Sequence, residues 1–313
     1  MLIFTLRRIL ATIPVMLAVA LFIFVLLYLA PGDPAEMIAG DNASAAEIEQ
    51  VRELLGLNQP FLVRFADWTA GLLRGDLGVS VFSRKPVTEL ILQRLEPTFS
   101  LMATTLIISI TAAIPMGVIA AARAGSWIDR AIMGTAVLGF SVPVFATSYA
   151  LSWIFSIQLN WLPVQGYQPL SEGLWAWFRH LIIPSIALGS VYMALIARIT
   201  RTSMLEVLNQ DYIRTAMAKG QSRTRILFEH ALKNAAVSIL TVIGLGVALL
   251  IGGAVVTESV FSIPGIGRLT VDAILQRDYP VIQGVVLFFS FVYVLINLAV
   301  DLAYRLFDPR IRL

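Results

Sequence analysis

Long apolar runs alternate with polar connections along this chain, and each run is long enough to cross a bilayer as a helix. A crossing takes about 20 apolar residues, since a helix rises about 1.5 Å per residue and the hydrocarbon core is about 30 Å thick. Lipid offers the backbone no hydrogen-bond partners, so each run is expected to be helical. The predicted spans are residues 9–30, 98–122, 131–157, 181–197, 235–256 and 281–303. The pattern predicts an all-α polytopic membrane protein with six transmembrane helices.

Two local features of these runs need interpretation. Arg7 and Arg8 precede the first run, as in a secretory signal, but the run is longer than the roughly 7–15 apolar residues of a signal peptide. We therefore interpret it as a retained span. Pro115, Pro143 and Pro184 lie inside later runs. Because neighbouring helices can satisfy the freed backbone groups, we predict kinks packed against neighbouring helices rather than breaks.

Composition and charge place the chain in a membrane and orient it. Of all residues, 58% are hydrophobic and 14% are charged, against roughly 25% charged in a soluble domain. The connections on the side of the N-terminus hold 14 of the 23 Lys and Arg residues, although their total length is the smaller. Cytoplasmic connections are enriched in these residues, so we predict that both termini are cytoplasmic. The net charge of +3 follows from this topology and gives no reason to expect nucleic-acid binding.

The first external connection, residues 31–97, contains a helix signal of its own. Ser44 and Glu47 form a capping-box pattern, and Gly56 supplies a stop. The apolar stripe between them consists of Ile48, Val51, Leu54 and Leu55. We predict a short amphipathic helix lying on the membrane or on the outer face of the protein, with a dedicated partner-binding role as the alternative.

The spans carry almost no titratable group. Glu258 follows the fifth predicted span and Asp301 lies near the end of the sixth, where we expect both to reach interfacial water. An ion-coupled carrier normally needs such groups near the midplane. Their absence argues against a secondary transporter acting alone, although backbone carbonyls and hydroxyls can still bind sodium.

Signals for catalysis and for cofactor binding are also missing. The two histidines, His180 and His230, lie in connections, and neither belongs to an HExxH motif. Ser141 has no histidine at its depth to act as a base. The chain has no cysteine and no Gly-Lys pair for a P-loop. We predict no catalytic residue, no metal site and no cofactor bound by this chain, so ATP and magnesium would be bound by another subunit.

Small residues at close-packing intervals predict tight contacts between helices. The candidates are Gly117, Gly134, Gly139, Gly244, Gly246, Gly252 and Gly253. From the sequence, packing within one bundle, a subunit interface and a pore wall all remain open.

The connection of residues 198–234 is basic and is predicted to form two short helices. The first begins at Asn209 or Asp211 and ends in a turn at Lys219 and Gly220. Its apolar face consists of Tyr212, Ile213, Ala216 and Met217. Ser222 is placed to cap the second helix, which continues through Ile226 and Leu227 toward the fifth span.

This segment resembles the bacterial ABC-transporter permeases, whose loop carries Glu-Ala-Ala, three residues, Gly, nine residues and Ile-x-Leu-Pro. Ala216, Gly220 and Leu232 match that general pattern. The stretch DYIRTAMAKG is closer to EDYIRTARAKG, the form found in dipeptide, oligopeptide, nickel and glutathione permeases, with Met217 in place of arginine. Further matches are PGDP after the first span, LGLNQP, GDLGVS, SVFSIPGIGRL, RDYPVIQG and the closing DPRIRL. The resemblance covers nearly the whole chain.

The resemblance implies a type I ABC importer permease of the bacterial inner membrane. It implies these segments: 1–30, the cytoplasmic N-terminus and first helix; 31–97, periplasmic; 98–306, a five-helix core; 307–313, a cytoplasmic tail. The implied partners are a homologous second permease, two cytoplasmic ATPase subunits, a periplasmic or lipid-anchored substrate-binding protein, and membrane lipid. The implied solute is a di- or oligopeptide, with glutathione or a nickel chelate as alternatives.

The resemblance also implies that the segment 198–234 docks into the ATPase subunits and transmits their closure. The residues implied are Asp211, Tyr212, Arg214, Thr215, Ala216, Lys219 and Gly220. Without the resemblance, a basic amphipathic loop fits equally well on anionic lipid. Two other functions remain as alternatives: an ion-coupled secondary transporter acting alone, and a membrane scaffold or receptor without a transport path.

Overall fold

The computed structural model describes residues 2–29, 34–39, 43–54 and 56–307, and most of them are helical. The helices are α1 (Leu2–Tyr28), α2 (Pro34–Ala39), α3 (Ala45–Leu54), α4 (Phe61–Leu73), α5 (Val87–Leu92), α6 (Leu95–Ala122), α7 (Trp127–Ser141), α8 (Val144–Ser152), α9 (Leu174–Leu208), α10 (Asp211–Ala218), α11 (Arg223–Arg225), α12 (Lys233–Val260), α13 (Ile266–Gln276) and α14 (Tyr279–Phe307). Within the described ranges, strand-like pairing is limited to one bridge between Val79 and Pro86.

The long helices correspond to the predicted spans. Among the described residues, four stretches are long and apolar enough to cross a membrane: Val87–Ala122, Leu174–Leu208, Arg223–Val260 and Tyr279–Ala299. A fifth crossing is provided if α7 and α8, with the π-helical Trp153–Gln158 that follows, count as one bent span. The described apolar stretch of α1, Leu10–Val25, is shorter. By length and composition, the described residues thus account for up to five of the six predicted crossings.

Pro143 breaks the third span, so the prediction of a kink was wrong there. α7 ends at Ser141 and α8 begins at Val144, and the two segments meet at 107°. Val142 is extended, with φ of −88° and ψ of 126°, as expected for a residue that precedes proline. Pro115 and Pro184 lie inside continuous helices. Pro184 is buried as predicted, whereas Pro115 is exposed on this chain.

The described residues divide into two compact units, one within Met1–Gln93 and Thr270–Val294 and the other within Arg94–Leu269 and Leu295–Leu313. In the first unit, the Phe24 ring of α1 packs against Phe61, Phe65 and Trp68 of α4, with ring centroids 5.3 to 5.4 Å apart. These aromatic contacts stabilise the packing of α4 on α1.

The predicted amphipathic helix of the first unit is α3, and its capping box is confirmed. The Ser44 backbone N–H donates to Glu47 Oε2 at 2.7 Å, and the Glu47 N–H donates back to Ser44 Oγ at 3.4 Å. Gly56, with φ of +63°, follows the helix as predicted. Some predictions concern residues outside the described set. These are Leu55, the side chains of Val51, Leu54 and Asp301, residues 31–33, and residues 308–313 of the predicted tail 307–313.

The second unit is built on α9, which packs against α6, α7, α8 and α12. Two of the predicted glycines allow these helices to meet closely. A Cβ atom at Gly117 of α6 would overlap Thr200 and the Ala197 carbonyl of α9. A Cβ atom at Gly246 of α12 would overlap the ring of Tyr192, which lies on α9. The packing interpretation is therefore confirmed at these positions.

The other glycines differ in their surroundings. Gly253 lies against Leu188, and Gly139 lies against the Ser190 backbone. Gly134, by contrast, has no atom within 4 Å of an added Cβ, and the same holds for Gly252. Close packing within this chain does not explain these last two residues.

Candidate functional site

The segment 198–234 begins as helix, not as loop, because α9 continues to Leu208. α10 starts at Asp211, one of the two predicted starts, but its N-cap residue is Gln210, which makes no side-chain cap. Lys219 follows as the C-cap, and Gly220 has φ of +75°. This is the left-handed region that glycine enters without strain, so the predicted turn is confirmed.

The apolar face predicted for α10 is divided between the inside and the outside of the chain. Ile213 is 0% exposed and Ala216 is 7% exposed, and both cluster with Ile226. Val207 and Leu208, at the end of α9, pack against this cluster. Ile213 and Ala216 thus anchor α10 to its own chain, so the Ala216 side chain is not available to a partner.

The remaining predicted residues of α10 point to solvent. Tyr212 is 45% exposed and Met217 is 54% exposed, on the two flanks of the buried stripe. Arg214 and Asp211 form an exposed ion pair at 3.3 Å, and Thr215 Oγ1 donates to the Asp211 carbonyl at 3.1 Å. Lys219 is exposed as well. The exposed surface of α10 thus combines two apolar flanks with charged side chains.

Phe228 is an exposed apolar residue that the sequence analysis missed. It lies in the same segment and is 56% exposed. Its position in the stretch ILFEHAL, which reads as a buried helix leading to the fifth span, gave no signal of exposure.

The second predicted helix is continuous with the fifth span. Ser222 caps it as predicted, accepting a hydrogen bond from the Arg225 N–H at 3.4 Å. α11, a π-helical stretch over Ile226–Leu232 and α12 then run without interruption from Arg223 to Val260. π-helical turns are often found at functional sites. α10, which the turn of residues 219–222 joins to this helix, packs on it through the cluster of Ile213, Ala216 and Ile226.

Glu258 is not at an aqueous interface, and that prediction was wrong. It is 0% exposed on α12. Its Oε1 accepts from the Thr98 hydroxyl at 2.6 Å, and its Oε2 accepts from the Arg268 N–H at 3.0 Å. The Thr98 oxygen in turn accepts from the Ile266 N–H at 2.8 Å. The carboxyl group therefore caps the start of α13, whose N–H groups need acceptors.

Two protein-family models together match nearly the whole chain. The model for binding-protein-dependent transport system inner membrane components matches residues 113–313. The model for the N-terminal part of such membrane components matches residues 1–102. The chain belongs to this family. It is a multi-pass inner-membrane subunit of a transport system and not an enzyme, as the sequence predicted.

Individual relatives align over nearly the full chain. A probable peptide ABC transporter permease of Sinorhizobium fredii is 56% identical over 310 residues, which is 99% of each chain. A putative peptide transport system permease of Brucella abortus is 47% identical over 307 residues, 98% of each. The glutathione transport system permease of Salmonella typhimurium is 44% identical over 312 residues, covering 100% of this chain and 99% of that protein.

Solved structures show the fold. Inward-facing structures of the MetNI methionine ABC transporter match with a TM-score of 0.59, and one covers 70% of this chain and 96% of that chain. At 16% identity, this likeness shows the fold alone. The predicted class, an all-α type I ABC importer permease, is confirmed.

Proposed function

We propose that this chain is a permease subunit of an ATP-driven importer of small peptides or peptide-like solutes. The observation that carries the proposal is the 56% identity to a probable peptide permease over 99% of both chains. A di- or oligopeptide is the favoured solute. Glutathione is itself a tripeptide, so the 44% identical glutathione permease supports the same chemical class, and a nickel chelate is the remaining alternative.

The proposed assembly pairs this chain with a homologous second permease, two cytoplasmic ATPase subunits and an external substrate-binding protein. The family description, which names binding-protein dependence, supports the last of these. The sequence has no Gly-Lys pair on which a P-loop could be built, so ATP and magnesium belong to the ATPase subunits.

The proposed orientation places both termini and the segment 198–234 in the cytoplasm. Lys and Arg distribution supports it, since seven of these residues lie in that segment. The docking surface for an ATPase subunit then consists of Asp211, Tyr212, Arg214, Thr215, Met217 and Lys219, all exposed on or beside α10. Ala216 holds α10 from within, and Gly220 sets the turn that follows.

Reconstitution tests the proposed function directly. The complex of both permeases and the ATPase subunits is inserted into vesicles with its binding protein, and uptake of radiolabelled dipeptide is measured. We expect uptake that requires ATP and persists without any ion gradient. Uptake by the isolated chain driven by an ion gradient would instead establish the secondary transporter, and absence of flux in every assembly would establish a scaffold or receptor.

Gly220 provides a prediction about coupling. A Cβ atom added at Gly220 would have no atom within 4 Å. A substitution therefore acts through backbone strain at the φ of +75° that Gly220 adopts, and not through a clash. The left-handed conformation costs an ordinary L-residue about 1–2 kcal/mol. We expect Gly220→Val to reshape the turn and to lower dipeptide uptake per ATP hydrolysed, while membrane insertion remains normal.

Gly220→Asn is the matched control, because asparagine tolerates this conformation. Uptake and ATP hydrolysis are measured on the same vesicles for both variants. If the valine and asparagine variants transport equally well, the geometry of this turn has no role in coupling.

A further inference from the structure

A second short connection lies beside the segment 198–234. Residues 123–126 join the end of α6 to the start of α7. Asp129, in the first turn of α7, is only 3% exposed. Its two carboxylate oxygens accept hydrogen bonds from Arg201, Oδ1 from Nε at 2.5 Å and Oδ2 from Nη2 at 2.7 Å. Such a bidentate pair fixes orientation as well as distance, which a single charge contact does not.

Further hydrogen bonds join Asp129 to the connection that precedes α7. Its Oδ2 also accepts from the Gly125 N–H at 2.9 Å, and Ser126 caps α7 by accepting from the Asp129 N–H. The carboxylate is therefore held from its own connection and from α9 at once. A movement of Arg201, whose side chain is 27% exposed, must carry the start of α7 with it or leave the buried Asp129 carboxylate without its partner, which is costly.

The other end of the same connection is also held. Arg223, the first residue of α11, donates a hydrogen bond to the carbonyl of Ala122, the last residue of α6. Both contacts come from the segment 198–234, and they fall on opposite sides of the connection 123–126. The segment thus touches the second and third spans as well as leading into the fifth.

Arg201 lies about two helical turns before Leu208, which packs against the buried residues of α10. It precedes Leu208 by seven residues on the same helix, a rise of roughly 10 Å, and Leu208 packs against the Ile213 cluster. The last two turns of α9 therefore both contact α10, through Leu208, and bind Asp129, through Arg201. No change of element or flexible linker intervenes between the two contacts.

We propose that Asp129 and Arg201 form a clamp that makes α7 follow α10 when the ATPase subunits move. The clamp rests on the proposed function, since it concerns how that function is driven. α7 leads directly to the break at Pro143. A displacement of its start changes its angle to α8 and so reshapes the third span. In this proposal Asp129 and Arg201 act as positioning residues.

The test compares Asp129→Asn, Arg201→Gln and the double variant in the reconstituted complex. Dipeptide uptake and ATP hydrolysis are measured on the same vesicles. We expect uptake per ATP to fall roughly two- to thirtyfold, the range in which residues along a coupling path act. The double variant is expected to be no worse than the worse single variant, because the pair acts as one unit. Arg201→Lys, which keeps the charge but loses the fork, is expected to retain an intermediate ratio.

Arg130→Gln is the matched control, since Arg130 neighbours Asp129 on α7 but is exposed. A purely structural role lowers the amount of assembled complex and leaves uptake per ATP unchanged in what assembles. That result, or an unchanged ratio in Arg201→Lys and Arg201→Gln alike, would overturn the clamp. Absence of ATP-driven uptake in the unaltered complex would instead overturn the proposed function and the clamp with it.

Discussion

Replacing Glu258 with alanine is expected to lower the thermal stability and the yield of the permease sharply. The side chain is fully buried and accepts hydrogen bonds from the Thr98 hydroxyl and from the Arg268 N–H. Alanine removes the acceptor and leaves these donors unpaired, at about 1–3 kcal/mol for each buried group. The start of α13 would lose its cap. Thermal unfolding in detergent, followed by tryptophan fluorescence, measures the loss.

Two further variants make this prediction specific. Glu258→Gln keeps the shape but turns one acceptor oxygen into an NH2 donor, so it should destabilise the protein less than alanine does. Glu89→Ala removes an exposed carboxylate that pairs with Lys85 at 3.7 Å, and such surface pairs contribute about 0–1 kcal/mol. Equal unfolding temperatures for Glu258→Ala and Glu89→Ala would show that the buried carboxyl group does not hold α13.

The long helices and the local signals at helix ends could be predicted from the sequence. Apolar runs report burial in lipid or protein directly, and capping depends on residues only a few positions apart. Ser44 with Glu47, Gly220 and Ser222 are examples in which the pattern and the structure agree. The α9 extension beyond residue 197 was missed, because a helix that leaves the membrane no longer needs an apolar run to continue.

Contacts between distant parts of the chain could not be predicted in this way. Thr98 and Glu258 are 160 residues apart, and Asp129 and Arg201 are 72 residues apart. Nothing in the local composition of either partner identifies the other. Glu258 was predicted to lie near water because its apolar run ends at residue 256, whereas α12 continues to Val260 and the following turn covers the carboxyl group.

The helix α10 shows a second kind of limit. An amphipathic pattern gives the apolar side of a helix but not the surface that covers it. In this protein the chain itself covers Ile213 and Ala216, so only the flanking Tyr212 and Met217 remain for a partner. The distinction matters for mutagenesis, because substitutions within the one predicted face have two different physical effects.

Tyr212→Ala combined with Met217→Ala is expected to abolish most binding of the ATPase subunits while leaving the permease folded. Buried aromatic anchors at protein interfaces often contribute about 2 kcal/mol or more, roughly thirtyfold in affinity. Both side chains are about half exposed on this chain, so their removal leaves no internal cavity.

Ile213→Ala is the opposite case: it empties a buried site and should cost about 2–5 kcal/mol of stability. Binding is measured by titrating ATPase subunits onto permease in nanodiscs, and stability by thermal unfolding of the same samples. Two results together would contradict this docking surface. The double variant would bind the ATPase subunits with unchanged affinity, and it would lose a protection of the α10 amides from hydrogen exchange that depends on anionic lipid. The surface would then lie on the membrane instead of on the ATPase.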